Sequence, residues 1–307
     1  MRDERLEKLA EVLVNYSTNV KAGDKVAISA EDCALPFIKA VARAAVAKGA
    51  LVEYYVDIPD VDATILKNGT AEQYARPNIR FGACASSDVW ISAWGSENTK
   101  TMQSIPAERL KERRLANKDN RKIYSDRMGT GELRWCGTQF PTNGDAQNAG
   151  MSLEEYEDFV YQAGYLYEAD PVAKWKEMAA EQEKWVKYLD GKKELHILSK
   201  DTDIRVNVAG RKWINCCGQE NFPDGEIFTS PVGNDTIQIP YNPYFQEEIS
   251  LVISGFQELK TQLREAAPQP AVVSAAHDEH TLEAVFQAHL ESGADITAVC
   301  TKNLTGD

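Results

Sequence analysis

The sequence predicts an α/β amino-terminal domain built on a mostly parallel sheet, followed by a β-rich segment and a short βαβ-like tail. Three observations predict it. Helix-period apolar stretches alternate with short apolar runs through the first half of the chain. After Gly191 the pattern turns to residue-by-residue alternation, and beyond residue 254 a strand–helix–strand order returns. The expected divisions are residues 1–190, 191–253 and 254–307.

The elements follow in order. Leu6, Leu9, Ala10, Leu13 and Val14 recur at helical spacing and give an opening amphipathic helix. A turn at residues 21–24 leads into a short buried strand at 25–29. Residues 35–48 read as a helix that Gly49 is placed to stop, and LVEYYV at 51–56 reads as a strand. Strand, helix and strand at this spacing make a βαβ unit, and therefore a parallel sheet. DVWISAW at 88–94 is a third strand, residues 106–117 are a helix, and 122–125 are strand-like. Ser152 and Glu155 have the spacing of a capping box, in which each side chain satisfies an otherwise free amide. Asp170-Pro171 supplies a cap and a first-turn proline for a helix running to about Gly191. Residues 194–198 and 203–208 alternate as half-exposed strands, and Gly210-Arg211 reads as a hairpin turn into 212–215. In the tail, helices at 256–265 and 278–292 alternate with strands at 271–275 and 296–300.

Composition narrows the function. A hydrophobic share of 43% and a charged share of 26% over 307 residues are those of a soluble globular protein. The formal charge of −13 argues against nucleic-acid and anionic-membrane partners, which both need basic surface. No stretch is long and apolar enough to span a bilayer, and the charged start MRDERLEKLAEVL is not a signal peptide. The six cysteines include no Cys-x-x-Cys pair, so reduced thiols in a cytoplasm are expected. Adjacent Cys216 and Cys217 read either as a redox pair or as two small buried residues.

Chemistry-bearing motifs are few. The four histidines form no His-Glu-x-x-His motif. His277 and His280 lie three apart with Asp278 and Glu279 between them, a spacing that suits a shared metal or simply a polar helix start. Gly129-Thr130-Gly131 lacks the lysine of a phosphate loop and reads as a turn. Trp90, Trp94 and Trp213 read as core. In NFPDGEIFT, residues 221–229, Pro-Asp-Gly makes a strong turn and Glu226 follows it into a β segment. Such a carboxylate is either an ordinary exposed charge beside a turn or a rigidly projected ligand.

The segment around it, AGRKWINCCGQENFPDGEIFTSPV at 209–232, resembles metallopeptidase family twenty-nine, the aminopeptidase T and aminopeptidase S type. So do RDERLEKLAEVLVNYS at 2–17, GTQFPTNGDAQNAGMSLEEYEDFV at 137–160, DPVAKW at 170–175 and KDTDIRVNVAGRKW at 200–213. The resemblance covers about residues 1–250. It implies a metal-dependent aminopeptidase that releases amino acids from peptides with a free amino terminus, using two divalent ions, zinc or cobalt, within a homodimer. It also implies that Glu226 is a metal ligand.

The remaining family ligands, a second glutamate, two histidines and an aspartate, find no match after about residue 250. The β-rich domain therefore reads as truncated, the metal as poorly bound and the activity as impaired. The alternative expectation is a non-catalytic remnant that serves as a dimerisation or partner-binding module. GFQELKTQLREAAPQPAVVSAAHDEHTLEAVFQAHLESGAD at 255–295 resembles the start of phosphate acetyl- or butyryltransferases, which places a seam near residue 254.

Overall fold

A computed structural model describes residues 2–199 and 202–229, together with the backbone of three later strands. The chain divides into two compact units, Met1–Glu177 with Cys217–Asp224, and Met178–Cys216 with Gly225–Asp307.

The first unit opens with α1 (Glu4–Val12), capped by Asp3, whose carboxylate accepts the Arg5 amide at 2.9 Å. The helix widens into a π-helical turn at Leu13–Ser17, whose Tyr16 hydroxyl donates to the Cys217 carbonyl at 2.8 Å. Then come β1 (Lys25–Glu31), α2 (Leu35–Ala47) and β2 (Leu51–Asp57). Gly49 has a φ of +78°, a left-handed position that releases the chain from α2. Three helices not anticipated from the sequence follow: α3 (Pro59–Asn68), α4 (Ala71–Tyr74) and α5 (Ile79–Ala85). Next are β3 (Val89–Trp94), α6 (Ala107–Ala116), α7 (Lys118–Thr130) and β4 (Arg134–Gln139). The unit is completed by α8 (Asn143–Asn148), α9 (Leu153–Ala163), the start of α10 (Pro171–Leu189) and the two-residue β8 (Asn221–Phe222). The Ser152–Glu155 capping box is present at α9, and Asp170 accepts the Ala173 amide at the head of α10.

All five strands are parallel, in the order β2-β1-β3-β4-β8, so the expected parallel α/β domain is observed. One sheet face is aliphatic where Val26 and Ile28 of β1 pair with Val89 and Ile91 of β3, all four buried. The other face is polar and aromatic. There Ser29, Ser92 and Gly137 stand in one row across β1, β3 and β4, and Trp90 pairs with Trp135.

Residues 122–125 are helical, not strand-like. They lie inside α7, whose inward positions Asn120, Tyr124 and Arg127 have helical spacing but are polar or aromatic. Asn120 donates to the Asn78 carbonyl at 3.0 Å, and Arg127 donates to the carbonyls of Ala85 and Ser87 at 2.8 and 2.6 Å. Tyr124 stacks edge-on against Trp90 and Trp135 at 5.7 and 6.2 Å between ring centroids. A helix held this way shows no aliphatic stripe in its sequence.

The second unit contains the rest of α10, an antiparallel pair of β5 (Glu194–Ser199) and β6 (Thr202–Asn207), and β7 (Trp213–Cys216), β9 (Glu226–Thr229) and β10 (Ile237–Pro240) in an antiparallel sheet ordered β10-β9-β7. Leu189, Val208, Trp213 and Ile227 form its buried core, with Val186, Leu195 and Val206 against them. Gly210 is a turn residue with a φ of +73°, but β7 pairs with β9 and not with β6, so the expected hairpin is not formed. The buried side chains explain this: Trp213 and Ile227 both enter the same core. Two tail strands, β11 (Ala271–Ser274) and β12 (Ile296–Val299), pair in parallel, as a βαβ order requires.

Candidate functional site

Glu226 is the first residue of β9, directly opposite Cys216 on β7 and Pro240 on β10. The chain reaches it through Pro223-Asp224-Gly225, where Gly225 has a φ of +118° that disfavours any side chain. Asp224 accepts the Gly218 amide and so closes the 218–224 loop on itself. Along β9, Ile227 and Thr229 are buried, whereas Glu226 and Phe228 are half-buried on the opposite face. The backbone of Glu226 is fixed from α10. Gln182, with 0% of its surface exposed, donates from Nε2 to the Glu226 carbonyl at 2.8 Å and to the Cys216 carbonyl at 3.0 Å. Asn215 makes a parallel tie to the Ala179 carbonyl at 2.9 Å.

The Glu226 side chain is set apart chemically. Burial raises its pKa above the ordinary carboxylate value, and no basic side chain among the described residues offsets that cost. A desolvated carboxylate in this state is stabilised by an approaching cation. As a metal site, however, it is incomplete among the described residues, where no three histidine, cysteine or acidic side chains come together. The donors within this part of the chain therefore do not form a divalent-ion site by themselves. Cys33, Cys84, Cys136 and Cys217 are free thiols. His277 and His280 lie outside the described residues. Of the tryptophans expected in the core, Trp213 is buried, but Trp94 is 54% exposed at the end of β3.

Sequence reasoning did not find a second concave feature, within the first unit. A cleft of about 830 Å³ opens at the carboxyl ends of β1 to β4, with Glu31, Asp57, Trp94 and Asp145 among its lining residues. Its position follows from topology. The chain runs from β1 to β2 on one side and returns to β3 on the other, and ligand crevices in open α/β sheets form where strand order reverses. The strand order, which a linear sequence does not display, was the missing signal.

Comparison with known proteins places the chain. The family model described as thermophilic metalloprotease (M29) matches residues 2–237. Aminopeptidase T from Thermus thermophilus is 25% identical over 257 residues, covering 74% of this chain and 61% of that relative. The chain thus spans about three fifths of the length of the curated relative it matches. The solved structure of wild-type AmpT from Thermus thermophilus superposes with a TM-score of 0.62 at 24% identity, covering 76% of this chain and 63% of that one, a likeness of fold. With the match running from the opening helix through β9, the chain belongs to the thermophilic metalloprotease (M29) family.

Proposed function

We propose that the chain is the amino-terminal part of a metal-dependent aminopeptidase, with Glu226 as one ligand of a divalent metal, zinc or cobalt. Its substrates would be peptides with a free amino terminus, and its setting a cytoplasmic homodimer. The observation that carries this reading is the half-buried Glu226 carboxylate, raised in pKa by burial, within a segment that the family model covers. The free thiols of Cys33, Cys84, Cys136 and Cys217 accord with a reducing compartment. The proposed activity is weak, because the described residues bring no three candidate ligands together at Glu226.

The test is hydrolysis of leucyl and arginyl chromogenic amides by the purified chain with added cobalt or zinc. Cleavage that a chelator stops and Glu226→Ala abolishes supports the reading. Cleavage indifferent to both would remove Glu226 from the chemistry. A second reading, a non-catalytic module that pairs with a partner or another copy, draws on the lack of a ligand group among the described residues. Absence of metal-dependent hydrolysis, together with a stable dimer by sedimentation, would favour it.

A further inference from the structure

The cleft of the first unit is a built pocket whose chemistry the peptidase reading does not use. Its floor includes Ser29 and Ser92, two small side chains paired across β1 and β3 on a sheet face that would otherwise carry bulk. At its β4 side the Trp94 indole packs over Gly137, where a Cβ would come within 2.5 Å of the ring. The inner end is closed by Trp90, Phe81 and Tyr124, with ring centroids 5.7 to 6.1 Å apart. Trp90 is itself anchored, its indole N–H donating to the Ser29 hydroxyl at 2.8 Å.

The carboxylates of the cleft are unequally satisfied. Asp57 is paired with Arg80 at 3.0 Å. Asp145 accepts from the Ser96 amide at 3.2 Å, from Gln139 Nε2 at 3.0 Å and from the Thr142 hydroxyl at 2.8 Å. Among the described residues Glu31 accepts one bond, from the Ser96 hydroxyl at 2.8 Å, although a carboxylate has room for about four. Its in-register neighbour across β2 is Asp57, another acid. Burial and the nearby carboxylates Asp57, Asp32 and Asp145 all disfavour its charge. No ion pair reaches Glu31 among the described residues, although Arg80 and Arg121 also line the cleft, and a metal ion is a poor choice because no three-donor group forms there among them. An ammonium suits it better, since one carboxylate and an aromatic face suffice to hold it.

We propose that this cleft binds a small primary amine carried on an aromatic or branched aliphatic body, with Glu31 receiving the ammonium and Trp94 flanking the body. The volume fits one such molecule, since small-ligand pockets run from about 300 to 1,000 Å³. None of the lining residues belongs to the strands that carry Glu226 and its neighbours.

Phenethylamine is the probe, titrated calorimetrically into the full chain, with 3-phenylpropionate as the partner that keeps the body and carries a negative charge. Phenethylamine is expected to bind, and 3-phenylpropionate at least about tenfold more weakly, the worth of a charge-assisted hydrogen bond. Glu31→Gln and Trp94→Ala are each expected to weaken the amine by about tenfold, whereas Glu226→Ala leaves it unchanged. The last variant separates this site from the proposed metal site, so either reading can fail alone. On the unaltered chain, the Trp94 indole N–H resonance, assigned with Trp94→Phe, is expected to shift on titration, which covers the case of a variant that does not fold. Absence of binding at millimolar phenethylamine overturns the proposal. So does equal binding of 3-phenylpropionate, loss of binding in Glu226→Ala, or an unmoved Trp94 resonance.

Discussion

Gln182 holds Glu226 by the main chain and makes no bond to its carboxylate: Nε2 donates 2.8 Å to the Glu226 carbonyl, while the opposing Cys216 carbonyl takes a second bond at 3.0 Å. The glutamine is wholly buried, so no water stands ready to replace it. It sets where β9 begins relative to β7, and so where the candidate ligand emerges.

Gln182→Met is expected to destabilise the chain by about 1–3 kcal/mol, since it keeps the bulk and strands two buried carbonyls. Gln182→Glu is expected to be worse at neutral pH, because it sets a carboxylate oxygen against those carbonyls. Urea unfolding measured on both variants checks the order. A midpoint unchanged by Gln182→Met would show that the two bonds are dispensable.

Glu31 gives a pH-dependent prediction. Burial raises its folded-state pKa above the unfolded value of about 4.3. Below the unfolded value the group is protonated in both states and contributes no difference. As pH rises through the folded pKa, the ionised form costs stability. Glu31→Gln should therefore match the parent chain near pH 4 and melt higher at pH 8. A lower melt at pH 8 would mean that the Ser96 bond to the charged oxygen outweighs desolvation.

The thiols should be poorly reactive. Burial pushes Cys33 and Cys84 up to about 11, and raises Cys136 and Cys217 as well. At pH 8 the thiolate that alkylates is then scarce. Brief treatment of the native chain with iodoacetamide should leave Cys84, Cys136 and Cys217 unmodified by mass spectrometry, whereas all six cysteines react in denaturant. Rapid native labelling of Cys136 would show that β4 opens readily.

Two glycines near the cleft should differ in tolerance. A Cβ on Gly144 would lie 2.3 Å from the Ser96 carbonyl oxygen and 2.6 Å from that of Glu97, both main-chain atoms. The three atoms nearest a Cβ on Gly137 all belong to the ring of the half-exposed Trp94, which can swing away. Gly144→Ala is therefore expected to cost about 1–3 kcal/mol or more. Gly137→Ala is expected to cost less and to change the tryptophan emission spectrum. Equal losses in thermal melts would place Trp94 more rigidly than its exposure implies.

Where helices present aliphatic stripes, as at Leu6, Leu9 and Leu13, the sequence was legible, and the same holds for the caps at Ser152 and Asp170. It misled where inward contacts are polar. α7 packs through Asn120 and Arg127, whose roles depend on carbonyls of α5 and the turn after it, distant in sequence. β4 was missed because Arg134, Gly137 and Gln139 break the apolar run, though Cys136 and Thr138 are buried. At the candidate site, the turn before Glu226 was readable from Pro-Asp-Gly. Its anchoring by Gln182 was not, since nothing along a helix marks which glutamine faces two carbonyls of another element.

The brief return of residues 217–224 to the first unit has a consequence for how the protein is made. Its sheet stays unfinished on the ribosome until β8 emerges, after α8, α9, α10 and three strands of the other unit have already been translated. Until then β4 presents a bare edge, while Tyr16 and Trp175 await Cys217 and Phe222. Closure of this long loop is a non-local step, which ties completion of the first unit to the stretch that immediately precedes Glu226. A nascent chain halted before residue 217 would therefore expose the edge on which chaperones, or other nascent copies, can act.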